Sequence, residues 1–179
     1  PLARLHALCT LDGVGALRPE IVIRGLADEH PGVRRHAVRL SEPLLDANPP
    51  LGDALLKLAE ESDPQVQLQL LYSLGQWQDE RAGRLLARLA LRHAGDPYLA
   101  AAALSSAVPH VQTMIAELQR ENELPAAETA ILGQLQKLAA DIKADPRLTT
   151  AVSTSRGTPV RPIEPSRQEV ERLLGGAAT

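Results

Sequence analysis

The chain has 179 residues, 44% apolar, 23% charged and only 2% aromatic, with a net charge of −3. That length can bury a core in one domain or one short array of repeats, while the charge argues against a polyanion binder built on overall positive charge. Trp77, Tyr72 and Tyr98 are the whole aromatic complement, so the core cannot rest on rings, whereas closely stacked helices rich in Ala and Leu can do without them.

Cys9 is the only cysteine, which leaves no internal disulfide, Cys-based zinc site or CxxCH haem attachment in this chain. No apolar run reaches the roughly 18 residues of a membrane span. The chain lacks an initiating Met and opens inside a helical pattern. It reads as part of a longer protein, which leaves export signals undecided.

In chain order, the phrase ARLHALCTL (3–11) comes first and aligns with VRRHAVRLS (33–41), matching Arg4 to Arg34, His6 to His36 and Ala7 to Ala37. DGVGAL (12–17) is a turn. PEIVIRGLAD (19–28) then reads as a helix, followed by EHPGV (29–33) and a second helix from Pro31. LGDALLKLAEES (51–62), closed by SDPQV (62–66), repeats the arrangement, and ERAGRLLARLALRHAG (80–95) with GDPYL (95–99) repeats it again. Pro31, Pro64 and Pro97 are spaced 64 − 31 = 33 and 97 − 64 = 33. Val33, Val66 and Leu99 follow them by two places. Ala37, Leu70 and Ala103 come four later, then Ser41, Leu74 and Ala107. Two helices per unit at this period is the signature of an α-solenoid.

The punctuation has a cause. Proline lacks an N–H and has φ preset, so it suits a helix's first turn and breaks an interior. Asp63 and Asp96 precede their prolines and can accept from the free amides that open a helix. His30 takes that place in the first unit, with Asp28 as the alternative acceptor. Later, 109–122 and 125–145 still read as helices, the latter with Ile131, Leu135, Leu138 and Ile142 on one stripe. They lack the repeat signature, as a terminal cap would. The Pro-, Ser- and Thr-rich stretch 146–165 reads as an extended linker. A short helix is predicted at 166–175, with Ser166 and Glu169 as its capping box.

LADEHPGVRRHAVRL (26–40) resembles the HEAT-like repeat in the short form of phycobilisome-lyase-type proteins, with Asp28, Pro31, Val33, Arg34 and Ala37 fitting the pattern. The resemblance implies an all-α, right-handed α-solenoid of HEAT-like helix pairs with a helical C-terminal cap and an extended tail. Its repeat domain spans 1–145: a partial unit at 1–17, units at about 19–45, 51–78 and 80–107, and a cap at 109–145. It also implies an inter-repeat ladder supplied by Asp28 and Arg34, interrupted where Gln67 and Ala100 replace Arg34. More narrowly, ARLHALCTLDGVGAL with VRRHAVRLSEPLL is similar to the HEAT segment of large planctomycete-type membrane-bound dehydrogenase/cytochrome c proteins. There, such a segment lies between a sugar-dehydrogenase-like β-propeller and a c-type cytochrome domain. That likeness covers roughly 1–110 and implies an extracytoplasmic setting and neighbouring domains of the same chain as partners.

The residues offer little catalytic chemistry. The histidines are His6, His30, His36, His93 and His110, and the recurrence of His6 and His36 is explained by the repeat. HExxH does not occur, and no His is followed directly by Glu. DGVGAL lacks the third glycine of a phosphate loop, and Cys9 reads as a small core residue. No catalytic residue, cofactor site or metal site is predicted.

Binding is better founded. If Val33, Ala37, Leu40 and Leu44 are the buried stripe, Arg35, Arg39 and Glu42 point the other way, toward the concave side of such a solenoid. One step on lie Leu68, Tyr72 and Gly75, then Ala101, Ser105 and Val108, with Leu71 and Leu104 adding to the ridge. The candidate interaction surface is therefore Arg35, Arg39, Leu68, Leu71, Tyr72, Leu104 and Val108. The alternative is that adjacent units bury these side chains against one another. The tail, with Val152, Val160 and Ile163, is an expected occupant near Tyr72. Nucleic acid is disfavoured because cations do not continue into later units, and no membrane insertion is expected. The expected role is a non-catalytic scaffold that binds a protein or neighbouring domains. The rivals are an enzyme of bilin-lyase type acting on a tetrapyrrole and a DNA-binding HEAT-like protein.

Overall fold

A computed structural model describes residues 1–120, 125–145 and 147–148. Among them the chain is all-α: nine α-helices and three 3-10 segments, with no strand. The helices are α1 (Leu2–Gly13), α2 (Pro19–Leu26), α3 (Pro31–Ser41), α4 (Pro49–Leu56), α5 (Pro64–Leu74), α6 (Glu80–Arg92), α7 (Pro97–Ser105), α8 (Val111–Leu118) and α9 (Ala126–Ala144). The predicted short helix at 166–175 and nearly all of the predicted linker lie outside the described residues. Of that linker, Arg147 and Leu148 take a helical turn, with Asp145 accepting from the Arg147 amide at 3.1 Å.

The punctuation acts as its chemistry requires. Pro31, Pro64 and Pro97 each open a helix. Asp63 Oδ1 accepts from the amides of Gln65 and Val66 at 3.0 and 3.1 Å, and Asp96 Oδ1 from Tyr98 and Leu99 at 2.9 and 3.1 Å. In the first unit the work is divided. His30 Nδ1 accepts from Gly32 N at 3.1 Å, while Asp28 Oδ1 accepts from His30 N at 2.9 Å. Such caps are worth about 1 kcal/mol each.

Some boundaries differ from the sequence expectation, and proline explains them. Pro43 would clash with the carbonyl four residues back, so α3 stops at Ser41 and the chain continues as a 3-10 segment, Glu42–Ala47. Leu44 is therefore off the α3 stripe and only half-buried. The helix expected from Leu51 begins at Pro49 and tightens into a 3-10 turn at Lys57–Glu60. The helix expected from Pro109 starts at Val111 after a 3-10 turn, Val108–His110.

Three sets of residues at the 33-residue spacing share the same burial. The trios Val33/Val66/Leu99, Ala37/Leu70/Ala103 and Ser41/Leu74/Ala107 are all buried. One row runs α1, α3, α5, α7, α9, each helix against the next, and on its other side α2 meets α4 and α6 meets α8. Among the described residues the principal helix contacts join elements at most three helices apart in chain order. From α4 to α6 a side chain makes the joint. Trp77, 3% exposed, lies over Gly52 so closely that a Cβ there would sit 2.5 Å from the ring. Arg81 stacks over the same ring at 5.1 Å and pairs with Asp53 at 2.7 Å. Gly75 ends α5 with φ −66°, an ordinary helical value. It is small because Ser106 is adjacent: a Cβ would come within 2.7 Å of its side chain and 3.0 Å of its backbone.

Candidate interaction surface

Two forked ion pairs run along the row formed by α1, α3 and α5. Asp28 and Arg34 do not pair with each other through their side chains; each pairs with a residue of a neighbouring helix pair. Arg4 donates from Nε to Asp28 Oδ2 at 2.7 Å and from Nη2 to Oδ1 at 2.9 Å. Arg34 donates in the same forked way to Glu61, at 2.7 and 2.8 Å. Each basic residue thus reaches forward to the carboxylate of the following unit. Arg34 also donates from Nη1 to the Asp28 and Glu29 carbonyls at 3.0 Å, and Gln67 repeats that contact on the Glu61 carbonyl. Glu61 lies 61 − 28 = 33 residues after Asp28, the repeat interval. The next equivalent positions are Ala94 and Ala100, so this series of rungs stops at α5, while Arg92 on α6 reaches back to Glu60 at 2.8 Å from a different position.

The two rungs differ in strength. In the second, Arg34 and Glu61 side chains are 17% and 5% exposed, so the forked pair is shielded from water. The Arg34 guanidinium and the Ser62 and Asp63 amides hold the Glu61 carboxyl below its ordinary range, against the effect of burial. In the first, Arg4 is about half exposed.

Beside this ladder, α3 and α5 leave an open groove of about 420 Å³, lined by Arg35, His36, Arg39, Gln65, Leu68, Gln69 and Tyr72. Four of the predicted surface residues, Arg35, Arg39, Leu68 and Tyr72, are brought together there. Tyr72 is 45% exposed, Arg39 is exposed, and Arg35 and Leu68 are half-buried. Leu104 and Val108 are half-buried and do not line the groove. Leu71, 1% exposed, belongs to the core and not to the surface. The reason is position: α5 is flanked by α3, α6 and α7, so its buried arc is wider than a single apolar stripe.

The groove's electrostatics are set by α3. Arg35 Nη1 donates to Gln65 Oε1 at 2.6 Å. Arg39 makes no ion pair or hydrogen bond with a described residue. Burial first, then the charges of Arg35 and Arg39, push the His36 imidazole below its ordinary range. His36 is therefore neutral at neutral pH and contributes a polar wall without charge. Glu42 stands at the groove's edge, its carboxylate accepting from the Ser73 hydroxyl at 2.6 Å and from Gln69 Nε2 at 3.4 Å. Burial raises the Glu42 carboxyl, opposed by Ser73 and Arg39. Sequence reasoning missed His36, Gln65 and Gln69 as lining residues. Their signal was available, since each lies three or four places from a predicted residue on the same helix.

Other candidates fare differently. Ser73 is fully buried and out of a substrate's reach. Cys9 is exposed, correcting its expected place in the core. Leu8 beside it turns inward, and one residue further round the helix faces water. His6 is exposed, and His110 is buried with its Nε2 at 3.1 Å from the Leu74 carbonyl. Among the described residues no three His, Cys, Asp or Glu side chains gather as metal ligands. No single described helix is long and apolar enough to cross a membrane. The bent pair Pro97–Ser105 and Val108–Leu118 passes that test only jointly, across a 68° break, and buries Ala102, Ala103, Met114 and Leu118 in the core. No family model, curated protein or solved structure matches the chain.

Proposed function

We propose that the chain is a non-catalytic helical-repeat scaffold, a right-handed solenoid of HEAT-like pairs that holds a partner protein or neighbouring domains of a longer polypeptide. The row-wise helix contacts, the burial of repeat-equivalent residues and the stepped Arg-carboxylate rungs support the repeat reading. The resemblance described above adds the narrower proposal of a segment between a sugar-dehydrogenase-like propeller and a c-type cytochrome domain. One observation carries the binding role: the open groove between α3 and α5, walled by side chains able to give both polar and apolar contacts. Concave surfaces with an apolar body and a few placed polar groups are where ligands and peptides dock.

Selection of a random peptide library on the purified chain tests this. The expected result is a set of enriched sequences that bind the wild type and lose binding in Leu68→Glu and Tyr72→Ala. Failure to enrich any peptide, or enrichment indifferent to both changes, contradicts the reading.

A further inference from the structure

The groove is not uniform from wall to wall. Its α3 side carries two guanidinium groups, Arg35 and Arg39, beside His36, and its α5 side carries Leu68 and Tyr72 alternating with the carboxamides of Gln65 and Gln69. Beyond α5, the repeat-equivalent positions on α7 are Ala101 and Ser105, both exposed and uncharged. The Glu42 carboxylate, beside the lining residue Gln69, is turned to Ser73 and Gln69. Arg35 spends one N–H on Gln65, and Arg39 none on a described residue. A guanidinium presents five N–H donors in a fixed fork that matches a carboxylate, and no carboxylate of a described residue lines the groove.

We infer that the groove takes an acidic, extended segment of a partner protein, its carboxylates against Arg35 and Arg39 and an apolar side chain against Leu68 and Tyr72. This rests on the scaffold reading and names the chemistry of its partner. The geometry also sets a spacing. Packed helices lie about 8–10 Å apart and an extended chain rises about 3.3 Å per residue. The acidic residue and the apolar anchor are thus about three positions apart. An exposed tyrosine beside arginines is a common composition for the centre of a protein interface. The chain's own 146–165 stretch carries Arg147, Arg156 and Arg161 against a single Glu164, the same sign as the groove, which favours a separate acidic partner over that stretch. Nucleic acid needs cations repeated along a track, and α5 and α7 place Leu68, Tyr72, Ala101 and Ser105 where the next ones would stand.

The test is fluorescence anisotropy on the whole chain with a labelled synthetic peptide. It carries two adjacent glutamates, a Ser-Gly spacer and a leucine, and its analogue has lysines in place of the glutamates. A labelled DNA duplex is titrated in parallel. The glutamate peptide binds and the lysine peptide does not. The double change Arg35→Ala/Arg39→Ala weakens the glutamate peptide by about tenfold or more, as loss of charge-assisted hydrogen bonds at a groove wall does. Arg35→Glu/Arg39→Glu inverts the preference between the two peptides. Equal binding of both peptides to the wild type, no binding of either, or preference for the duplex overturns the inference, and these outcomes need no variant. An unchanged affinity in a folded Arg35→Ala/Arg39→Ala chain overturns it as well. Library selection that returns groove-dependent peptides without acidic residues removes this inference and leaves the scaffold standing, whereas no groove-dependent peptide removes both.

Discussion

The two halves of the molecule are held together differently. From α1 to α5, adjacent units are stitched by side-chain charge, Arg4 to Asp28 and Arg34 to Glu61. Beyond α6, whose Arg81 and Arg92 still pair back with Asp53 and Glu60, the equivalent positions are alanines, and the helices close on Leu, Ala and Met, with α8 and α9 covering the end. The polar groove lies in the first half, where ion pairs keep α3 and α5 in register without filling the surface between their exposed faces. Where apolar packing takes over, that surface turns uncharged. Binding chemistry and the ladder thus share one half.

The largest expected effect is at the junction of the halves. Trp77→Ala empties the space over Gly52 and removes the platform beneath Arg81. It costs about 3–5 kcal/mol, as deletion of a buried indole does, and urea unfolding measures it. In the first half, Glu61→Ala strands the Arg34 fork and the Ser62 and Asp63 amides that Glu61 caps. The expected cost is about 2–3 kcal/mol, below that of a fully buried pair because Arg34 keeps two carbonyls and some water.

Two groups, Glu61 in the first half and His110 in the second, respond to acid in different windows. Glu61 is held below its ordinary value first by Arg34. Its contribution is complete above the unfolded carboxyl range and disappears as pH falls through the folded value, because the unfolded chain takes up the proton first. In the second half, burial pushes the His110 imidazole down, opposed by the Leu74 and Trp77 carbonyls and by Asp79. Below about pH 6.5 the unfolded histidine binds a proton that the folded one refuses, so stability falls with pH. His36 and His93 shift in the same direction. Replacing His110 with Gln should flatten the slope of unfolding free energy below about pH 6.5, and Glu61→Gln should flatten it only in the carboxyl range.

Smaller effects refine the contrast. Gly75→Ala drives a methyl into Ser106 and its backbone, costing about 1–3 kcal/mol. Gly133, on α9 with nothing within 4 Å of a built Cβ, should gain about 0.5–1 kcal/mol on change to Ala from helix propensity alone. Thermal melts of the two variants should therefore move in opposite directions.

The order of helices and their caps was legible because both are local: Asp-Pro and His-Pro pairs at a fixed interval open helices whatever lies around them. The buried trios were legible for the same reason. Trp77 over Gly52 was not, since the fit between a ring and a glycine 25 residues earlier in the chain (77 − 52 = 25) has no periodic trace. Leu71 was misplaced because a helix flanked on several sides buries more than one stripe, and Cys9 because the outermost helix buries less. Within the groove, the arginines, Leu68 and Tyr72 followed from helical spacing. The direction of each ladder rung did not, although the 33-residue step from Asp28 to Glu61 carried it.

The most direct test of stacked packing uses Cys9, which is exposed and the only cysteine in the chain. A nitroxide attached there should broaden amide resonances in α1, α2 and α3. Amides of α7 and α9 should stay sharp, since they lie three and four helix spacings along the row, or roughly 24–40 Å at about 8–10 Å per spacing. Strong broadening across α7 and α9 would mean that the two ends meet in a closed bundle, contradicting the stacked row on which the groove depends.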